Sequence, residues 1–333
     1  MIMSAEIYNA EPVVRLEDVH VHFPLYQGTA RVLNGVNLDI KKGCITGIVG
    51  ESGCGKTMTS SAVLQLIPKP GKVTQGHIYV QGHDVVTMTR KEVNEYIRGK
   101  ISFVPQGARA AMNPVFTIGE QISRIYRVNK GMNKKEAMDA AEEALKNVGI
   151  PEARKRLSAY PHELSGGMCQ RVLIVMGIAA GPQLLIADEP TTGLDVTVQA
   201  QILELITEMV AKNHSSCMFI THDLGVIAEI SQYVAVMYGG QVMEYGTTEQ
   251  IFCAPKHPYT KRLMDATLRV DVRKKITSIP GIVPSALKET KGCYFAERCD
   301  EAEPICFAEE PPVCHFGEHC VKCHKVMGGC CSE

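Results

Sequence analysis

Eight residues, Gly50-Glu51-Ser52-Gly53-Cys54-Gly55-Lys56-Thr57, carry the clearest chemistry in this 333-residue chain. They fit G-x-x-x-x-G-K-[ST], a glycine turn whose backbone N–H groups cradle a chain of phosphates. Gly50, Ser52, Gly53, Cys54 and Gly55 form the turn. Lys56 supplies a fixed cation, and Thr57 a hydroxyl for magnesium. A second group lies far along the chain, in Leu184-Leu185-Ile186-Ala187-Asp188-Glu189. Four apolar residues put Asp188 at the exit of a buried strand, where it can hold Mg²⁺ together with Thr57. Glu189, one residue on, is placed to take a proton from an attacking water. Read alone, that run could equally be a strand ending in solvated acids. Between the two groups stands Leu164-Ser165-Gly166-Gly167-Met168-Cys169-Gln170-Arg171. Ser-Gly-Gly at a helix start makes a second anion site from N–H groups and a hydroxyl. The plainer alternative is an ordinary serine helix cap.

The flanking elements suit these roles. Ile45-Thr46-Gly47-Ile48-Val49 is a short apolar run that reads as a buried parallel strand. Met58 to Ile67 holds no Gly or Pro and reads as a helix ending before Pro68. Val13 to His22, Val36 to Ile40 and His77 to Gln81 read as strands of a small antiparallel sheet laid against a parallel core. Ile101 to Val104 and Cys217 to Ile220 are further short apolar strands. Met138, Ala141, Leu145 and Val148 recur at helical spacing in Lys135 to Val148. A helix opens after Leu164 and runs to about Ala180, and another covers Thr197 to Lys212. Tyr233 to Tyr238 and Gln241 to Tyr245 flank Gly239-Gly240 as a closing hairpin. Beyond about Pro255 the pattern weakens, and a compact tail held by something other than a large core is expected.

Composition narrows the class. Basic and acidic residues number 35 and 36, a formal net charge of −1, which gives no electrostatic case for nucleic acid. No stretch is long and apolar enough to span a bilayer, and Met1 to Pro12 lacks the form of a secretory signal. The protein is expected to stay in the cytoplasm and to serve a membrane only by docking to another subunit. Eight of its 13 cysteines lie between Cys293 and Cys331. In a reducing compartment that argues for metal ligation over disulfides.

Taken in order, these motifs resemble the nucleotide-binding subunits of ABC transporters, over about residues 13 to 250. Gly50 to Thr57 is similar to Walker A, and Asp188 with Glu189 to Walker B and its catalytic carboxylate. Gln106 resembles the Q-loop glutamine, which touches Mg²⁺ and the attacking water and couples to membrane subunits. Leu164 to Met168 resembles the LSGGQ signature, with Met168 where the family has Gln. Ser165 and Gly167 match the signature residues that face a partner's γ-phosphate. Thr192-Gly193-Leu194-Asp195 is similar to the D-loop, and His222 to the switch histidine at the γ-phosphate. Phe23, or alternatively Tyr26, matches the aromatic that stacks on adenine. The resemblance implies an α/β P-loop NTPase fold with a parallel core sheet, an antiparallel β subdomain and a helical subdomain at about 107–180. Together these make an ATPase domain at 13–255, followed by a cysteine-rich C-terminal extension at 256–333.

The tail narrows the subfamily. Lys256 to Leu263, Ile279 to Ser285 and Gly292 to Cys299 succeed one another as in the extension of oligopeptide and dipeptide importer ATPases. That implies a motor subunit powered by ATP and Mg²⁺ on the cytoplasmic face of the membrane. Its implied partners are a second ATPase subunit, commonly a paralogue, two membrane permeases and an extracytoplasmic solute-binding protein. Nickel and other small-solute importers are close relatives and stay open as alternatives. A soluble ABC ATPase is disfavoured, because there is no long insertion between Thr57 and Leu164 and only one ATPase unit. Cys293, Cys299, Cys306 and Cys314 are spaced by about five to seven residues, unlike a zinc ribbon. Some members of the family carry a [4Fe–4S] cluster at matching cysteines. Zinc and reduced structural thiols are the other readings. Cys320, Cys323, Cys330 and Cys331 lie past the matched region and have no assigned role.

Overall fold

The computed structural model describes residues 11–266 and 279–329. The chain divides into two compact units. One is built from Lys42–Ile45 and Asn94–Ile220, and the other from the described residues of Ala10–Lys41, Thr46–Val93 and Thr221–Glu333.

In the first unit the strand Leu184–Asp188 lies between two parallel neighbours. Ile101 stands opposite Leu184 on one side, and Ile220 opposite Asp188 on the other. Every residue of Leu184–Asp188 and of Ser216–Ile220 is buried. Strands covered on both faces take apolar side chains at successive positions, here Leu184 to Ala187 and Cys217 to Ile220, so they show no alternation. Helices Ile118–Lys130, Lys134–Asn147, Gly166–Ala179 and Val196–Asn213 complete this unit. Thr117 and Asn133 start the first two with capping boxes closed by Glu120 and Glu136. Gly166–Ala179 buries Cys169, Val172, Leu173, Ile174 and Val175, and so has no polar face. It lies close on its strand: a Cβ at Gly177 would come within 2.6 Å of Val104.

The second unit holds a four-stranded antiparallel sheet in the spatial order Gly28–Lys41, Pro12–Leu25, Lys72–Val80, His83–Asp84. It also pairs residues Thr46 to Val49, of the strand Ile45–Val49, in parallel with the strand Tyr233–Tyr238. Tyr233–Tyr238 turns through Gly239 and Gly240, both at positive φ, into Gln241–Thr247. His319–Lys322 then pairs with Gln241–Thr247, and Val313–Phe316 with His319–Lys322. Among the described residues no helix is long and apolar enough to cross a membrane.

Several elements differ from expectation. Val13 to His22 grows into Pro12–Leu25, and Val36 to Ile40 into Gly28–Lys41, because the two pair along their length as one long hairpin with bulges. The helix after the phosphate loop ends at Val63 rather than Ile67, with Leu64 as its C-cap. The tail is the largest difference. It places two four-residue strands in the sheet and buries Phe295 against Tyr238 and Tyr259, with ring centroids 5.2 Å from each. It is therefore held by aromatic packing against the strand Tyr233–Tyr238.

Glu244 fastens this region. It is fully buried. Its carboxylate accepts from His319 Nε2 at 2.7 Å and from the N–H groups of Lys256 and His257 at 2.7 and 3.0 Å. Burial alone would raise the Glu244 carboxyl, but these bonds and one from Thr260 outweigh it and hold it below the usual range. His257 Nδ1 accepts from the Tyr259 N–H at 3.0 Å, and burial pushes its imidazole from 6.5 down to about 4.

Both groups make acid destabilising. An unfolded chain protonates His257 as pH falls below 6.5, while the folded chain resists until about 4, so this contribution is whole above pH 6.5 and is lost between the two. Glu244, ionised when folded, loses its contribution as pH falls through its lowered value. Thermal unfolding at pH 7 and pH 5 should show a lower midpoint at pH 5, a loss of on the order of 1–2 kcal/mol from His257. His257→Gln should reduce the pH 7 to pH 5 difference. Equal differences in both proteins would contradict the assignment.

Candidate functional site

The phosphate loop belongs to the second unit, and its shape follows from a close approach. Gly50 has φ 151°, and a Cβ there would stand 2.1 Å from the Met237 carbonyl oxygen. Only glycine lets the loop lie on the strand Tyr233–Tyr238. From the other side the Gly240 N–H donates to the Cys54 carbonyl at 3.0 Å. Lys56 is 8% exposed, and its ammonium donates to the carbonyls of Gly50 at 2.7 Å and Glu51 at 3.1 Å. The helix Lys56–Val63 starts at Gly55, φ 105°, with no side chain capping its first N–H groups. They remain directed at the loop, which is the arrangement that binds phosphate. Ser52, Gly53 and Thr57 are exposed, while Cys54 is buried. Burial pushes the Cys54 thiol up, against the pull of Lys56.

His222 lies in the same unit. The Thr221 N–H donates to the Ile48 carbonyl at 3.3 Å. This fixes exposed His222 beside the strand that feeds the loop. Asp223 follows as N-cap of the helix Leu224–Ile230, accepting from Gly225 and Val226.

The acidic pair belongs to the first unit. Asp188 is 2% exposed at the end of its strand. Glu189 turns sharply, with φ 48° in the left-handed region that a side chain rarely adopts. Its N–H donates to the Ile220 carbonyl at 2.8 Å. Its Oε2 accepts from Gln106 Nε2 and from Thr192 Oγ1, each at 3.0 Å. A strained backbone and two donors thus aim one carboxylate. Gln106, the residue that resembles the Q-loop glutamine, donates here to Glu189. Thr192 is a site residue that the sequence signalled only through its D-loop-like run.

Ser165 caps the helix Gly166–Ala179, its hydroxyl accepting from the Met168 N–H at 3.3 Å. Ser165 and Gly166 are exposed, and a Cβ at Gly166 would meet nothing within 4 Å. The start of this helix is therefore open. Gln170 ties the helix to the acidic segment through the Pro190 carbonyl at 2.7 Å. Arg109 ties it to the segment after Gln106 through the Leu164 carbonyl at 2.6 Å. Phe23 is half-buried, its ring so close on Gly71 that a Cβ there would lie 2.4 Å away. Tyr26 is fully exposed, so it is the freer of the two rings for stacking.

In the tail Cys293, Cys299, Cys306 and Cys323 line one small cavity. Burial, then neighbouring thiols, pushes Cys293 up to about 11 and raises Cys323. Cys314, expected as the fourth thiol, is not in that lining. It sits in the strand Val313–Phe316 opposite Val321, and the chain returns through His319–Lys322 to present Cys323 instead. Cys330 and Cys331 lie outside the described residues. Among the described residues no three His, Cys, Asp or Glu are grouped as ligands of a single metal ion.

Comparison with known proteins agrees with this geometry. The ABC transporter family profile matches residues 33–192, and that of the oligopeptide/dipeptide transporter C-terminal region matches residues 243–306. The oligopeptide transport ATP-binding protein OppD of Bacillus subtilis is 44% identical, over 90% of this chain and 85% of that protein. The dipeptide transport ATP-binding protein DppD of Escherichia coli is 40% identical, over 95% of this chain and 97% of that protein. Among solved structures, the dimeric ATP-binding cassette MJ0796 bound to ADP and Pi is 27% identical, with a TM-score of 0.65. It covers 71% of this chain and 98% of its own. The fold is thus the α/β fold of ABC ATPases, and the chain belongs to the ABC transporter ATP-binding proteins of the oligopeptide and dipeptide transporter family.

Proposed function

We propose that this chain is the ATP-hydrolysing subunit that powers import of di- and oligopeptides through a membrane ABC transporter. The observation that carries this reading is the extent of the likeness. It passes beyond the ATPase motifs into residues 243–306, the region named for peptide transporters, in relatives named for peptide transport. By the same resemblance its partners are two permease subunits, a second ATPase subunit and an extracytoplasmic solute-binding protein. Its place is then the cytoplasmic face of the membrane. The ATPase part corresponds to about 13–255 and the extension to 256–333.

Each residue then has a task in one reaction. Loop N–H groups and the Lys56 ammonium take the phosphates. By the family resemblance Thr57 and Asp188 are each magnesium ligands, hard oxygen donors of the kind that ion prefers, and bound Mg²⁺ would neutralise phosphate charge. Glu189 accepts a proton as water oxygen bonds to the γ-phosphorus and the bond to the bridging oxygen of ADP breaks. Gln106 and Thr192 keep Glu189 aimed, and His222 contacts the γ-phosphate. Ser165 and Gly167 serve the nucleotide of the partner ATPase subunit. Tyr26 or Phe23 stacks on adenine.

A [4Fe–4S] cluster in the tail is the finer part of this reading. Its support is the set of four thiols around one cavity, Cys293, Cys299, Cys306 and Cys323. A four-iron cluster takes one thiolate per iron, so its ligands need not converge on a point as those of a single ion do. In that role the group would brace the tail.

Three outcomes test the reading. Lys56→Ala should weaken Mg-ATP binding by on the order of 10–100-fold, the loss of charged hydrogen bonds to phosphate, by calorimetric titration. Glu189→Gln should keep ATP binding and lower kcat of the reconstituted transporter by about 10²–10⁴-fold. Full turnover in that variant would remove Glu189 as base. Anaerobically purified protein should be brown, with iron and sulfide in equal amounts. Cys323→Ser should lose the colour and Cys314→Ser should retain it; the reverse would restore Cys314 as ligand.

A further inference from the structure

The phosphate loop is gripped by the far end of the chain. Arg298 lies in the short turn Ala296–Arg298 of the tail, and its guanidinium reaches Glu51, the second residue of the loop. Nη1 donates to Oε2 at 2.6 Å and Nη2 to Oε1 at 3.0 Å, a two-pronged pair of the kind that fixes direction as well as distance. The Arg298 side chain is 6% exposed and that of Glu51 23%. The remaining donors are also engaged. Nε reaches the Pro280 carbonyl at 2.8 Å, Nη2 the Ile279 carbonyl at 3.2 Å, and Nη1 the Tyr238 hydroxyl at 3.1 Å. This guanidinium therefore has one pose, unlike a surface arginine in a mobile ion pair.

Glu51 is held from its backbone as well. Its N–H donates to the Tyr259 hydroxyl at 3.1 Å, and its carbonyl accepts from the Lys56 ammonium at 3.1 Å. Tyr238, Tyr259 and Phe295, packed ring to ring at 4.7 to 5.2 Å, carry both hydroxyls. A continuous set of contacts thus runs from the tail through Glu51 to Lys56. Nothing in the chemistry of a phosphate site requires a carboxylate at position 51; like charge beside phosphate is unfavourable unless a cation neutralises it. Arg298 supplies that cation and fixes where the carboxylate points.

We propose that Arg298 is a positioning residue for the nucleotide loop. Through Glu51 it neutralises the loop's one acidic side chain and holds Lys56 and the adjacent N–H groups where phosphate binds. The extension is then part of what sets ATP affinity. This rests on the loop being the nucleotide site.

The test is a double-mutant cycle in the full chain, reading ATP affinity by titration and KM and kcat in the reconstituted transporter. Arg298→Ala should raise KM and Kd for ATP about tenfold, the scale of one charged hydrogen-bond pair, with a smaller change in kcat. Glu51→Ala should recover most of that loss in the Arg298→Ala background, because the unneutralised carboxylate is gone. Arg298→Lys, which keeps charge and loses the fork, should fall between; it serves if Arg298→Ala fails to fold. A purely structural pair would lower the unfolding temperature and leave ATP affinity unchanged in folded protein, and that result would overturn the proposal. Lys56→Ala separates the two readings. If it leaves ATP affinity intact, the loop assignment fails. If it weakens binding while both Arg298 variants bind normally, only the role of Arg298 fails.

Discussion

The Gly50 turn rests on the Met237 carbonyl with no room for a side chain. Within the loop the Cys54 N–H donates to the Glu51 carbonyl at 3.2 Å, but one such bond leaves most of its shape to be held from outside. Here the backbone of the strand Tyr233–Tyr238 holds it, joined by the Gly240 N–H at Cys54. That strand keeps its place through parallel pairing with Ile45–Val49, the run that leads into the loop. The loop is thus clamped to its own feeding strand through a neighbour more than 180 positions away, and Arg298 adds a contact 247 positions from Glu51.

The acidic side follows a different logic. Burying Leu184–Asp188 on every face fixes Asp188 without any choice of rotamer by solvent. Glu189 must then leave that strand quickly, and it does so through a left-handed residue. Glycine would adopt that conformation at less cost but would bring no carboxylate. The chain accepts local strain in order to aim an acid, and Gln106 and Thr192 complete the aim.

The sequence showed this site well because its chemistry depends on backbone spacing. Glycines and Lys56 at fixed offsets, a four-residue apolar run before Asp188, and a serine that caps a helix each have one local explanation. The same reading failed where contacts cross long distances. Gly28 to Leu33 gave no strand signal, yet pairing with Pro12–Leu25 makes it one. Val313–Phe316 and His319–Lys322 are short and mix Cys and His with apolar residues, so their pattern resembles loop. Cys323 was hidden for that reason: its approach to Cys293, Cys299 and Cys306 depends on a strand pairing that spacing cannot reveal. Arg298 gave no signal, because a buried two-pronged ion pair is a property of the folded chain.

The pairing of His319–Lys322 with Gln241–Thr247 has a consequence for how the molecule is made. Ribosomes add about 5–20 residues per second, so Gln241–Thr247 leaves the exit tunnel several seconds before its partner exists. Throughout that interval its N–H and C=O row is an open template for another nascent chain. Glu244, in the middle of the row, is a charge that a foreign strand could not bury without the partners that arrive later.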